Sequence, residues 1–120
     1  MTQQSTTPQT LPLTYEEFER VEIRVGTIVD AVEFPEARKP AWRLRVDLGQ
    51  LGIKSSSAQV KKLYTREELV GRQVVCVVNF PPKQIGPMMS EVLVTGFRDQ
   101  NGDTVLASVE RLVPNGERLF

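Results

Sequence analysis

Apolar positions along this chain fall in short runs, several with a period of two, and clusters of turn residues separate them. Ile23-Arg24-Val25-Gly26-Thr27-Ile28-Val29-Asp30-Ala31-Val32 is rich in β-branched residues and predicts a strand. Gly26 inside it predicts a bulge or sharp bend, as small barrels need at corners. Trp42-Arg43-Leu44-Arg45-Val46-Asp47-Leu48 alternates cleanly. Trp42, Leu44 and Val46 share one face, and Arg43, Arg45 and Asp47 share the other. Gly49 and Gly52 flank a turn, after which Ile53 to Ser57 predicts a short strand. Val74 to Phe80 predicts a continuous strand, apolar on both faces, and Val92-Leu93-Val94 predicts another. Asn101-Gly102 predicts a two-residue hairpin turn between Gly96-Phe97 and Thr104-Val105-Leu106-Ala107. Pro114-Asn115-Gly116 turns the chain into a last short extended piece.

Helices are few and short. Thr14-Tyr15-Glu16-Glu17 and Thr65-Arg66-Glu67-Glu68 both have the spacing of a capping box. The first predicts a helix to about Val21. The second predicts one or two turns that Gly71 ends. Five or six strands, with a short helix before the fourth, predict an all-β chain closed into a small antiparallel barrel. A five-stranded oligonucleotide/oligosaccharide-binding (OB) barrel, with short helices and terminal extensions, fits this length.

One stretch breaks the pattern. After Val77-Val78 come Asn79-Phe80-Pro81-Pro82-Lys83-Gln84-Ile85-Gly86, and only later Ser90-Glu91-Val92-Leu93-Val94. Prolines cannot donate to a sheet ladder, so the chain must leave the sheet here. Lys83 then sits on a stiff loop between two strands, a place that suits a contact site.

Composition narrows the class. At 120 residues the chain predicts one domain, over residues 14–120, behind a polar leader over residues 1–13 that reads as disordered. The leader lacks the apolar stretch of a signal peptide. No apolar run approaches the ~20 residues a membrane helix needs, so membrane insertion is not expected. The single cysteine, Cys76, lies in an apolar run and reads as a buried structural thiol. These features together predict a cytoplasmic protein. There is no histidine, no thiol cluster and no phosphate-cradling glycine loop. No pair of carboxylates stands out, and Ser55-Ser56-Ser57 has no neighbouring base to activate it. A binding module is therefore expected rather than an enzyme, with no cofactor and no metal.

Formal charge is zero overall but uneven along the chain. Residues 1–35 carry two arginines against six acids, residues 36–83 ten cations against four acids, and residues 84–120 three arginines against five acids. The positive middle can make a basic patch on a neutral protein. Two ligand classes fit. Arg38, Lys39, Arg43, Arg45, Lys54, Lys61, Lys62 and Lys83 could meet nucleic acid, with Phe34, Trp42 and Phe80 as stacking platforms or as core. Ile85, Met88 and Met89, beside two prolines, could instead take an apolar peptide.

Several blocks resemble a known family. They are Ile23-Arg24-Val25-Gly26-Thr27-Ile28, then Phe34-Pro35-Glu36-Ala37-Arg38 with Val46-Asp47, then Gly52-Ile53-Lys54-Ser55-Ser56-Ser57-Ala58-Gln59. Tyr64, Glu68-Leu69-Val70-Gly71, Asn79-Phe80-Pro81-Pro82-Lys83, Gly86, Ser90-Glu91-Val92-Leu93 and Val113-Pro114-Asn115-Gly116 complete the set. From about Phe18 to Gly116 the chain resembles tRNA-binding domains of the EMAP II type, in their CsaA-like branch. Phe34-Pro35 replaces the His-Pro usual in the broader family, Ser57-Ala58 replaces Ser-Gly, and Glu91-Val92 replaces Gly-Met. Each departure points to the CsaA-like branch. The resemblance implies an OB barrel whose terminal segments build a homodimer. It implies two activities, and the expectation is a CsaA-like, export-related chaperone that binds unfolded presecretory proteins (preproteins), with structure-dependent tRNA binding as the alternative. Carried over by position, Lys54, Ser57, Asn79, Lys83 and Ser90 become candidate tRNA contacts, with Arg38 added on charge. For preproteins, the expected surface is Phe34, Phe80, Ile85, Met88 and Met89, rimmed by Arg38 and Lys83.

Overall fold

The computed structural model describes residues 10–120. Residues 1–9 of the expected leader lie outside the described residues, and residues 10–13 are exposed without regular structure. Nine strands and two α-helices follow among the described residues, with one 3-10 turn over Gly49–Leu51. The strands are β1 (Ile23–Glu33), β2 (Trp42–Asp47), β3 (Ile53–Ala58), β4 (Gln73–Val77), β5 (Lys83–Ile85), β6 (Met88–Ser90), β7 (Leu93–Val94), β8 (Gly96–Arg98) and β9 (Thr104–Leu106). The helices are α1 (Tyr15–Glu19) and α2 (Arg66–Leu69). No helix among the described residues is long and apolar enough to cross a membrane.

Five strands form one antiparallel sheet in the order β3-β2-β1-β4-β7. Its two outer strands meet through side-chain and backbone bonds. Glu91 N donates to the Ser55 carbonyl at 2.8 Å, and Ser55 N donates to Glu91 Oε1 at 2.9 Å. The buried Ser56 hydroxyl donates to the Val92 carbonyl at 2.8 Å. The sheet thus curls into a nearly closed five-stranded OB-type barrel, and closure removes edges that would otherwise template aggregation. Ile28, Leu44, Val46, Leu48, Leu69, Val74 and Cys76 fill its interior.

The expected alternation in β2 is present: Trp42, Leu44 and Val46 are buried, and Arg43 and Arg45 are exposed. Both capping boxes form. Thr14 accepts from Glu17 N, Thr65 accepts from Glu68 N, and each glutamate reaches back to the cap backbone. The bonds from the Thr14 and Thr65 backbones hold the Glu17 and Glu68 carboxyls below the usual range. A lowered carboxyl stabilises while ionised, so both caps loosen as pH falls below the usual carboxylate range toward the lowered values.

Three local expectations need correction. The β1 bulge lies between Ile28 and Asp30, not at Gly26. Gly26 is instead a packing position, because a Cβ there would lie 2.5 Å from Val46 Cγ1 and 2.8 Å from Leu48 Cδ2. The strand expected to run to Phe80 stops at Val77. Beyond it Asn79 turns its amide to other backbone: Oδ1 accepts from Glu22 N and Nδ2 donates to the Arg20 carbonyl. The β8–β9 turn spans residues 100–102, because Asp99 N still donates to the Asp103 carbonyl. Gly102, at φ 82°, takes the left-handed position of that three-residue loop.

The C-terminal tail is pinned along the first half of β1, where β2 has already ended. Val25 N donates to the Glu117 carbonyl, Gly116 N to the Val25 carbonyl, and Leu119 N to the Ile23 carbonyl. The buried Gln73 holds the tail from below. Its Nε2 donates to the Val113 carbonyl at 2.7 Å and its Oε1 accepts from Val113 N at 3.0 Å.

Cys76 is buried inside the barrel, and burial pushes its thiol up from 9.0 to about 12. Only the neutral form suits that interior. Its contribution to stability is complete below pH 9 and is lost as pH rises toward 12. We expect urea midpoints to fall across that interval in the wild type and to fall less in Cys76→Ala. Identical pH profiles for the two proteins would remove Cys76 as the cause.

Candidate functional site

The strand-poor stretch after β4 does not stay a loop. Residues Lys83–Ile85 and Met88–Ser90 pair as the β5–β6 hairpin, with Gly86 at φ 55° in its turn. The bonds preceding Pro81 and Pro82 are trans. Lys83 therefore projects from a paired strand, opposite Ser90, rather than from the expected loop.

A second small core holds this hairpin in place. Phe34 and Met88 are only 3% and 5% exposed, and with Ala41 they pack against Ala37 and Ile85. This cluster joins the loop after β1 to the hairpin. A Cβ on Gly86 would touch Glu36 at 3.5 Å and Phe34 Cζ at 3.7 Å. The hairpin turn thus rests directly on the β1–β2 loop.

Between the two lies an open cleft of 520 Å³. Its walls are Glu36, Ala37, Arg38, Lys39 and Ala41 on one side and Lys83, Gln84, Ile85 and Gly86 on the other, with Ser57 and Gln59 at the end of β3. The volume lies within the ~300–1,000 Å³ typical of ligand sites. Loops flanking the face of strands 2 and 3 are also where OB barrels bind oligonucleotides. Arg43 and Arg45 project outward from β2, opposite Ser57 and Ser55 on β3.

Arg38, Lys39, Arg43, Arg45 and Lys83 are all exposed. Among the described residues, none of the five is in an ion pair. The pairs found are Arg24–Glu22, Lys61–Glu33, Arg66–Asp30 and Arg111–Glu110. Glu36 is the one carboxylate lining the cleft. Three of these cations line the cleft and two stand beside it on β2, which makes a local positive field on a neutral chain.

The sequence-derived candidates separate into groups. Arg38, Ser57, Lys83 and Ile85 come together in the cleft. Lys54 and Phe80 line a different cleft of 340 Å³, with Leu48, Leu51 and Pro82. Asn79 uses both ends of its amide to hold the backbone at Arg20 and Glu22. Ser90 is half-buried in the hairpin. The five apolar candidates do not form one surface. Phe34 and Met88 are core, Ile85 is half-buried, and Phe80 is 56% exposed at the second cleft. Met89 alternates away from Met88 and is exposed. Lys39, one of the cations expected to meet nucleic acid, also lines the cleft, as do Gln59 and Gln84, which nothing in the sequence pairs.

Comparison with known proteins agrees with this architecture. A family model described as a putative tRNA binding domain matches residues 23–118. The crystal structure of chaperone CsaA from Bacillus anthracis superposes with a TM-score of 0.85 at 46% identity, covering 92% of this chain and 100% of that one. The CsaA chaperone protein from Picrophilus torridus gives 0.84 at 39% identity, covering 91% and 100%. A methionine–tRNA ligase of Leptospira biflexa is 43% identical over 82 residues, which is 68% of this chain but 12% of the ligase. The chain therefore spans only a small part of the ligases it matches. By the extent of the family match and the likeness to CsaA over the whole barrel, this chain belongs to the putative tRNA-binding domain family, in its CsaA-like branch.

Proposed function

We propose that this chain is a non-catalytic RNA-binding module that takes tRNA on the cationic face around the 520 Å³ cleft. The observation that carries the reading is the set of five exposed cations with no carboxylate partner. A polyanion supplies the missing charge, and RNA phosphates do so at a spacing that a row of such side chains can follow. Arg38, Lys39 and Lys83 hold phosphates at the cleft mouth, and Arg43 and Arg45 extend the track along β2. Ser57 and the amides of Gln59 and Gln84 offer neutral donors to sugars and bases. Such a partner places the chain in the cytoplasm. Affinity for bulk tRNA measured across a salt series should fall linearly on a log–log plot with a slope of about −4, as five neutralised phosphates require. A slope near zero would end this reading.

A second reading rests on a different surface. Phe80, Leu51 and Pro82 leave an apolar face at the 340 Å³ cleft, and Met89 is exposed on the nearby hairpin. An unfolded preprotein held there would make the chain a passive, CsaA-like export chaperone. The cationic cleft itself suits such a partner poorly, since secretory segments begin with positive charge. Phe80→Asp combined with Met89→Asp should abolish capture of an unfolded preprotein segment without changing tRNA affinity. Retained capture would exclude this surface.

We also propose a homodimer built by the terminal segments. Phe97, Leu112 and Phe120 are exposed apolar side chains that a second copy would cover. Sedimentation should then give twice the chain mass, shifting to one chain mass in Leu112→Asp/Phe120→Asp; a monomeric wild type would overturn it.

A further inference from the structure

Three cations sit over aromatic rings, Lys61 over Trp42, Arg72 over Tyr64 and Arg43 over Phe34, and of these Arg43 stands beside the cleft. Its Cζ lies 5.5 Å from the centroid of the Phe34 ring, within the range of a cation–π contact. Phe34 is itself locked. It is buried in the small core, Gly86 of the hairpin turn lies against its edge, and it begins the loop that walls the cleft. Arg43 is exposed, has no carboxylate partner, and stands directly opposite Ser57, which lines the cleft. The guanidinium carbon thus sits over a rigid ring while the residue remains open to solvent at the cleft edge.

We infer that Arg43, held by Phe34, is a stacking platform for one unpaired nucleobase, so the site selects single-stranded or looped RNA over duplex. This rests on the RNA reading above. Unpaired bases stack on aromatic rings and on arginine planes, whereas bases inside an A-form duplex present no free face. The open cleft beside the platform is flanked by a loop and a hairpin, which suits a splayed nucleotide better than a helix. Arg38 and Lys83 then receive the phosphates flanking that base. Phe34 acts through Arg43, as a positioning residue. Lysine at position 43 would keep the charge and lose the plane.

The test uses the full chain, a fluorescently labelled unstructured RNA oligomer, and a blunt duplex of the same length. Wild-type protein should bind the single strand at least about tenfold more tightly than the duplex, the gain expected from one stacked base. Arg43→Lys should lose about tenfold on the single strand, leave duplex affinity within twofold, and leave the salt slope unchanged. An overlapping circular dichroism spectrum and melting curve would show that the exposed substitution leaves the barrel folded. Equal affinity for the two RNAs in the wild type, or an unaffected Arg43→Lys, overturns the platform while RNA binding stands. Bulk tRNA is titrated alongside: failure to bind the single strand while tRNA binds overturns the platform alone, and failure to bind tRNA as well overturns the RNA reading itself.

Discussion

Changing Arg38 and Lys83 together to glutamine is expected to lower tRNA affinity at least tenfold in low salt and to flatten the log–log salt slope by about 2. Each phosphate contact removed takes roughly one unit from that slope. The two residues face each other across one cleft, from the β1–β2 loop and from β5. Both are exposed, so their exchange leaves the core packing of Phe34, Ala41 and Met88 intact. Lys62→Gln is the matched control. It removes another exposed cation that lines neither the 520 Å³ nor the 340 Å³ cleft. Binding titrations at several salt concentrations would check this. If Lys62→Gln flattens the slope as much as the pair does, charge is acting from everywhere and the cleft has no special part.

Gly49→Ala should destabilise the chain by about 3 kcal/mol, although no functional side chain is touched. Gly49 has φ 65°, where an added Cβ costs roughly 1–2 kcal/mol. That Cβ would also overlap the Asn115 carbonyl, and relieving such a clash costs a further ~1–3 kcal/mol. The same contact runs the other way, since a Cβ on Gly116 would lie 2.6 Å from the Leu48 carbonyl. Two glycines thus let the C-terminal tail lie against the turn before β3. Forcing them apart strains the bonds that Gln73, Val25 and Ile23 make to the tail. Gly102→Ala separates the two costs. Gly102 has φ 82° with nothing within 4 Å of an added Cβ, so it should lose only the conformational part. Urea unfolding of the three proteins gives the comparison. Equal losses in the two variants would show that the tail contact carries no stability.

Much of this architecture is legible one strand at a time. The alternation in β2 separates Leu44 and Val46 from Arg43 and Arg45 without any knowledge of neighbours. The capping boxes at Thr14 and Thr65 are local rules, and both hold. What escapes a linear reading is set by pairing. Gly26 looks like a bulge because bulges and close approaches both favour glycine, and only the crossing of Val46 and Leu48 distinguishes them. The pairs in β5–β6 are too short for their period to register, so Lys83 looked like a loop residue.

The site shows the same division. Charge counting located the basic middle of the chain, but the cleft requires the β1–β2 loop to meet the hairpin, a contact made by residues far apart in sequence. Phe34 and Met88 carry that contact from inside, which is why two residues that looked available to a ligand are core. Asn79 is similar: an amide that suits a ligand is bound at both ends to the backbone near α1. The resemblance to tRNA-binding domains pointed to segments that supply Arg38, Ser57 and Lys83 to the cleft, but a linear comparison does not tell which side chains in them face outward.

The most direct test of the cleft as the RNA surface is to map it residue by residue. On nitrogen-15-labelled protein, amide shifts would be followed during titration with tRNA or an RNA fragment derived from it. The account predicts that the largest changes fall on Arg38, Lys39, Arg43, Ser57, Gln59 and Lys83 to Gly86, with Phe97 and Leu112 unmoved. Changes concentrated around Leu51 and Phe80, or on the β8–β9 hairpin, with the cleft silent, would contradict it.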